Sequence, residues 1–531
     1  MTKLPKVSFT NQNEDFNQLH DYLDTFIPIF EDEVKNYLKP RGSSIGGKEI
    51  IHEDSTFTLH SPIDMSYLGF FSEANIEDVS IAVDEAKISQ ESWQNLGWSK
   101  RCYYIKKLVA EFEKDKYRLS VATLLEVGKC RLEAVGEAEE CLDFANYYAD
   151  EYRKNHGYEK TLQDVRQNEQ SKSCMKPFGV FAVITPFNFP LAMSVNMILA
   201  AIITGNTVVW KPTLHNSLTS YMLQQIFDRA LPKGVVNLIL GGDDVGKELS
   251  ENPSIDGVAF TGSSTVGRKL IDIMNNGGKY PRPALVEMGG KNPSYICETA
   301  DLDVASLAVA RSAFGMSSQK CSANTKIYVH ENIYDEFIDK LVKNTQEIYV
   351  MGDVRDRNVT LGPVINEQSS MRYSASIDKI RNVYHGTTAI GGYTKREGVP
   401  AYAQSLYCMP TIIEGLESTN EFVNTELFVP ITCVLKFSNL KDAILDDIKN
   451  NNNGLTSGIF TKEEDEIETF IRYQQTGTLY INRPSGSTTG TKPGQTSFVG
   501  WRNSGGPNKK GAMGPNYIQQ FLKEQGVIRY F

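Results

Sequence analysis

The sequence predicts an α/β fold centred on a parallel sheet with helices on both faces. Two observations carry this. From Gly179 to Lys326 short apolar runs ("GVFAVI", "TVVW", "VVNLIL", "GVAF", "ALVEM", "KIYV") alternate with helical stretches, and near-continuous apolar strands separated by helices are what a sheet buried on both faces requires. After Asn332 the alternation resumes to about Tyr480, which supplies a second α/β unit. In such sheets ligands bind beyond the carboxyl ends of the strands, so function is sought in the connecting loops.

The first fifty or so residues are polar, with aromatics at Phe16, Tyr22, Phe26, Phe30 and Tyr37 that suggest helices packed on the main body. After "SPIDMSYLG", read as strand and turn, Ile76 to Tyr148 carries helical periodicity and few breakers. Asp150 to Cys174 is almost wholly polar and reads as a hairpin arm; an isolated hairpin is marginal in water, so its order is expected to need a partner subunit. Between Lys176 and Lys211 there is no charged side chain, a length that could suggest a membrane span. Pro186, Asn188 and Pro190 argue against it, because two missing donors and a polar amide are costly in lipid. The run is parsed instead as strand 179–184, loop 185–190, helix 191–204 and strand 207–210. The tail from Asn482 is rich in Gly, Ser, Thr and Pro until "NYIQQFLKEQG", which reads as a final helix.

The chain of 531 residues has 40% hydrophobic and 23% charged content, ordinary for a globular protein, and a net charge of −10, which disfavours nucleic acid or an anionic membrane as partner. The N-terminus lacks the basic and apolar regions of a signal peptide, so a cytoplasmic location is expected. The eight cysteines form no CxxC pair or Cys/His cluster, so neither a metal site nor a disulfide framework is expected.

Four motifs bear on chemistry. "GGDDVGKE" (241–248) nearly matches a phosphate loop, but Glu248 stands where magnesium needs a hydroxyl, which favours an ordinary strand-to-helix turn. Gly262, Ser263 and Ser264 follow a strand at a helix start, which is either an anion site or a simple serine cap. Cys321, in the polar stretch "AFGMSSQKCSANTK", sits between Lys320 and Ser322, where a partly exposed thiol beside positive potential can ionise. Glu287 ends the strand "ALVEM" and is either a solvated strand end or a buried base.

In order along the chain, "TPFNFP", "GNTVVWKP", "FTGSSTVG", "EMGGKNP", "SQKCSA" and "TELFVP" resemble the aldehyde dehydrogenase superfamily from about Ser61 onward. The resemblance implies a Rossmann-like cofactor domain (1–152 and 176–288), a second α/β catalytic domain (289–483), and a small β oligomerisation arm with a C-terminal segment (153–175 and 484–531). It implies Cys321 as nucleophile, Glu287 as general base and Asn188 as oxyanion donor. For the dinucleotide it implies Lys211 at the adenosine ribose, Gly262 and Ser263 at the pyrophosphate, Thr185 and Pro186 lining the site, and Glu426 with Phe428 at the nicotinamide ribose and ring. The implied chemistry is a cysteine thiohemiacetal, hydride loss to the cofactor, and hydrolysis of a thioester.

The tail "RPSGSTTGTKPGQTSFVGWRNSGGPNKKGAMGPNYIQQFL" resembles the pyrroline-5-carboxylate dehydrogenase group of that family, which oxidises glutamate semialdehyde to glutamate. There the loop after a phenylalanine, matched by Phe498, anchors the substrate carboxylate, which implies Ser504 and Gly505 as the anchor with help from Ser322. Gly506 and Pro507 replace a Thr-Asn pair, Val499 replaces a glycine before Gly500, and Ser318 replaces a glycine before Gln319. These departures keep a broad-specificity or short-chain aldehyde dehydrogenase as the alternative; a catalytically silent relative is disfavoured because nucleophile, base and oxyanion residues are all present. Leu214 stands where many relatives carry an acid, so NADP is expected to be tolerated as well as NAD. A small aldehyde and a second copy of the chain are the expected partners.

Overall fold

A computed structural model describes residues 4–8, 11, 14–507 and 509–531. Two seven-stranded sheets form its frame. In the first, the order is Ala284–Met288, Gly257–Gly262, Val180–Thr185, Thr207–Pro212, Val236–Leu238, Ser43–Ile45 and Lys48–Ile50. The first five of these strands are parallel, and the N-terminal hairpin adds antiparallel at the edge. The second sheet runs Thr387–Ile390, Thr411–Glu414, Ile431–Phe437, Asn324–His330, Asn292–Ile296, Thr456–Phe460 and Thr478–Ile481, parallel except at its first strand. This is the α/β fold expected.

The charge-free run folds into that sheet. Its helix, Ala192–Ile203, has eleven of twelve residues fully buried, so its apolar side chains face protein all round. The polar break after it is also buried. Asn206 donates to the Ala201 and Phe521 carbonyls and accepts from the Gly179 amide, which satisfies the backbone where two strands and a helix meet. Gly205 takes φ 98°, a turn geometry that favours glycine. Among the described residues no helix is long and apolar enough to cross a membrane.

The helical block comprises Ile76–Asn95, Gly97–Val127 and Arg131–Lys154. Two of its buried carboxylates cap other helices. Glu126 accepts from the Leu218 and Thr219 amides at 2.7 and 3.1 Å, and Glu137 accepts from Leu191 and Ala192 at 2.8 and 3.0 Å. Each satisfies orphan donors at the positive end of a helix. Glu137 also pairs with the buried Lys129, so the loop that precedes Ala192 is tied down at its exit. The N-terminal helix Asn17–Lys35 buries Leu19, Leu23, Ile27, Phe30 and Val34 on one face. Arg355 in turn joins Glu31 of that helix to Asp64 and Asp353.

Two expectations about the periphery are corrected. The final segment is not a helix: a 3-10 turn, Ile518–Phe521, leads into a strand, Leu522–Tyr530. That strand pairs antiparallel with Glu169–Pro177 over nine residues, and Glu159–Thr161 completes a three-stranded sheet. The polar arm is therefore ordered by its own chain, and no partner subunit is needed to pair it. A third backbone ribbon, not a docking surface, supplies the missing hydrogen bonds.

Candidate active site

A cavity of about 800 Å³ opens beyond the carboxyl ends of the first sheet's strands, with segments of the second sheet and of the tail as its far wall. It is lined by Cys321, Glu287, Asn188, Thr185, Pro186, Lys211, Gly262, Ser263, Glu426, Phe428 and Ser322. The fold thus brings together eleven residues that are separated by hundreds of positions in sequence.

Cys321 ends a tight turn. Met316, Ser317 and Ser318 take φ values of 53°, 53° and 58°, a left-handed stretch that costs L residues and persists where surroundings over-determine it. Ser318, at the position read as a departure from glycine, donates its hydroxyl to the Ala313 carbonyl. Ser317 donates to Gly362 O, and the Gln319 side chain accepts from Ile365 N and donates to Met316 O. Behind Cys321, Asn292 donates to the Cys321 and Ala323 carbonyls at 2.7 and 2.9 Å. Gly290 permits this approach, since a Cβ there would meet the Cys321 carbonyl oxygen at 2.5 Å.

The electrostatics of the thiol differ from expectation. Lys320 Nζ pairs with Glu133 at 3.2 Å, and the charges that act most on the sulfur are carboxylates instead. Burial, followed by the Glu426 and Glu287 carboxylates, pushes the Cys321 thiol up to about 12; the Cys321 and Ser322 backbone amides oppose this. These influences favour the neutral thiol at Cys321.

Asn188 is buried and donates Nδ2 to the Gln319 carbonyl at 2.8 Å. That bond uses one of its two N–H groups and leaves the other available for a further acceptor. Phe187 meets Phe428 edge to face at 5.8 Å between centroids. Thr185 takes part in the wall with its hydroxyl already bonded to Ser194 and Trp210.

Glu287 is a buried group, not a solvated strand end. Burial raises its carboxyl above the ordinary range, and Lys509 opposes the rise. Lys509 Nζ binds Glu287 Oε2 directly. Sequence reading missed Lys509, because a lysine in "GPNKKG" carries every sign of a solvated loop.

At the other end of the cavity Lys211 is buried, and burial lowers its ammonium to about 8, with Asp243 and Glu73 opposing. Leu214 and His215 stand beside it. "GGDDVGKE" is the strand-to-helix turn expected, leading into Asp243–Glu251, and its Gly241, Gly242 and Asp243 line the same end. Ser263 caps the helix Ser264–Asn276 by accepting from Val266 N at 3.3 Å, and Gly262, Ser263 and Val266 at this helix start line the cavity. Glu426 accepts from Gly290 N at 3.0 Å, and burial raises its carboxyl to about 7.

Ser504 and Gly505 are placed elsewhere. The Ser504 hydroxyl is fully buried, donates to Gly289 O at 2.7 Å and accepts from Gly454 N at 2.9 Å. Gly505 forms an isolated antiparallel bridge with Glu287. Both serve as backbone supports behind the site, and neither lines the cavity. The loop that does so beside Ser322 is Thr489–Thr491. Thr488 Oγ1 donates to the Ser322 carbonyl at 2.7 Å, and Arg483 holds the Thr489 and Gly490 carbonyls. The Thr491 hydroxyl is buried beside the Tyr480 hydroxyl, on which Thr491 and Arg483 act, and among the described residues neither makes a hydrogen bond of normal geometry. Phe189 and Phe498 flank this end.

A parallel sheet with a cavity at its strand ends, lined by a cysteine, a carboxylate and an amide, fits an oxidoreductase. The aldehyde dehydrogenase family model matches residues 50–527, and the chain belongs to that family. It is similar to 1-pyrroline-5-carboxylate dehydrogenase of Staphylococcus haemolyticus (strain JCSC1435), 32% identical over 94% of this chain and 95% of the relative. It is also similar to 1-pyrroline-5-carboxylate dehydrogenase 1 of Halalkalibacterium halodurans, 31% identical over 92% of each. Among solved structures, 1-pyrroline-5-carboxylate dehydrogenase from Thermus with bound NAD superimposes with a TM-score of 0.90 at 26% identity over the whole of both chains.

Proposed function

We propose that this chain oxidises L-glutamate 5-semialdehyde, the open form of pyrroline-5-carboxylate, to glutamate with NAD or NADP. The observation that carries the substrate is the wall of Ser322, Gly490 and Thr491 beside Cys321. Two hydroxyls and a loop amide there can receive a carboxylate while the aldehyde carbon lies at the sulfur. The named relatives support the same reading.

The residues present suit the dinucleotide. Lys211 is a buried ammonium whose hydrogen bond to Pro212 O is long, 3.4 Å. The Ser264–Asn276 helix turns its N-terminus to the cavity, and Glu426 stands across from it. When bound, the nicotinamide supplies the hydride acceptor. With Leu214 in place of an acid, Lys211 meets a ribose hydroxyl or a 2′-phosphate without a repelling carboxylate. The protein's own part is covalent. The Cys321 thiol gives up its proton to solvent as sulfur adds to the aldehyde carbon, and Asn188 Nδ2 with the Cys321 amide receives the negative oxygen. Once the thioester stands, Glu287 takes a proton from water, the hydroxyl oxygen bonds to the acyl carbon, and the carbon–sulfur bond breaks. The reading includes a cytoplasmic homo-oligomer with 1–152 and 176–288 as cofactor domain, 289–483 as catalytic domain, and 153–175 with 484–531 as arm and tail.

The test compares two substrates. Thr491→Val removes one hydrogen bond to a charged group, about 1.5 to 3 kcal/mol, or roughly ten- to a hundredfold in kcat/KM on glutamate semialdehyde. Propanal has no carboxylate and should lose little. Ser504→Ala should lower stability and leave the ratio of the two substrates near its wild-type value. Equal losses on both substrates in the Thr491 variant would leave a broad aldehyde dehydrogenase in place of this reading.

A further inference from the structure

Lys509 is a buried ammonium in the cavity wall that the reaction as described does not use. Its side chain is 4% exposed and Glu287's is 8%. It reaches the site from the tail, just after the stretch in which Met288 N donates to Ser504 O and Gly506 N donates to Val286 O. The tail therefore runs along the end of the Glu287 strand and delivers a cation to its side chain. Lys509 Nζ binds Oε2, whereas Oε1 is buried with no hydrogen bond of normal geometry among the described residues; the Gly500 amide also acts on this carboxylate, more weakly than Lys509.

Resting on the proposed function, we infer that Lys509 is the positioning residue of the deacylation base: it clamps Glu287 by Oε2, keeps the buried carboxylate ionised, and leaves Oε1 free to take the proton of the hydrolytic water. A carboxylate in an apolar wall would otherwise be held protonated. Burial does raise Glu287, and the Lys509 charge is the largest opposing influence. Reciprocally, burial lowers Lys509, and Glu287 followed by Cys321 opposes this. The other titratable groups facing Glu287 are Cys321 from the nucleophile turn and Tyr517 from the tail; both are neutral at pH 7, with burial raising Tyr517. Lys509 is thus the cation that faces the base. In the step it serves, water loses a proton to Oε1 and its oxygen bonds to the acyl carbon. Sulfur then leaves with the electron pair of the broken bond and recovers the proton from Glu287, so that thioester and water become acid and thiol.

Lys509→Met and Lys509→Arg test this in the full-length enzyme. In Lys509→Met, the burst of reduced cofactor should persist while steady-state turnover falls at least tenfold, and the acidic limb of kcat should move to higher pH. Lys509→Arg should restore much of the turnover. Independently of any substrate, the Glu287 carboxyl band, isolated by infrared difference against Glu287→Gln, should titrate at higher pH in Lys509→Met than in wild type. An unmoved infrared titration, or a Lys509→Met enzyme with wild-type steady state, overturns the inference. If wild-type protein reduces no cofactor with any aldehyde, the proposed function fails, and the infrared titration still decides the role of Lys509.

Discussion

On the proposed reading, the rest of the cavity serves a single atom, the Cys321 sulfur. Cys321→Ala should abolish aldehyde oxidation and leave the dinucleotide affinity within about twofold, as read by cofactor fluorescence, because the adduct needs sulfur and the cofactor end of the cavity does not. Since burial and two carboxylates push the thiol up to about 12, its thiolate fraction rises as pH rises. Alkylation of Cys321 by iodoacetamide, followed by mass spectrometry, should accelerate about tenfold per pH unit from 7 to 9. Glu426→Gln should quicken it at fixed pH. A rate flat across this range would show that the thiol is already ionised. The position of this cysteine was legible in sequence, but its environment was not. Adjacent Lys320 looks like an activating charge in a linear chain, whereas on a turn it faces Glu133, and the carboxylates that govern the sulfur come from positions 287 and 426.

Elements were legible wherever an apolar run was bounded by Gly, Pro or Asn, as at 179–212, because burial on both faces and a polar break admit few alternatives. They were illegible where only tertiary pairing decides. Ile518 to Leu522 has a short helical period, and the strand it begins is selected by the open edge of Glu169–Pro177. The tail's anchor was misplaced for a similar reason. Ser504 and Thr491 are equally plausible hydroxyls in a Gly-rich loop, and only the fold assigns one to the backbone and the other to the cavity. Helix capping offers a test at this scale. Glu126 caps the helix Ser217–Ala230, yet burial raises its carboxyl from an ordinary 4.5 to about 8. A folded-state value above the unfolded one means that its contribution is full below about pH 4.5 and is lost as pH rises through 8. The melting temperature of wild type minus that of Glu126→Gln should therefore fall between pH 5 and 8.5 and level off above it. A difference independent of pH would mean that the carboxylate is ionised in the folded protein throughout.

On the scale of the whole molecule, the tail ties the parts together. It closes the three-stranded arm, borders the first sheet at Glu287, and carries Phe498 and Lys509 into the cavity. Val527, Ile528 and Tyr530 of its last strand are exposed, an apolar face of the kind that subunits cover. Deleting 523–531 should convert the proposed oligomer to monomer in solution scattering at micromolar concentration and free the amides of 169–177 to exchange. Unaltered mass would place the subunit contact elsewhere. Because the tail is also the wall of the site, the order of synthesis matters. A ribosome makes Cys321, Asn188 and Glu287 long before it makes Lys509, so a nascent chain with both sheets already folded still has an open thiol and an unclamped base. On the proposed reading, chemistry waits for Lys509 to dock, and until the tail covers the cavity Cys321 should be more open to oxidants.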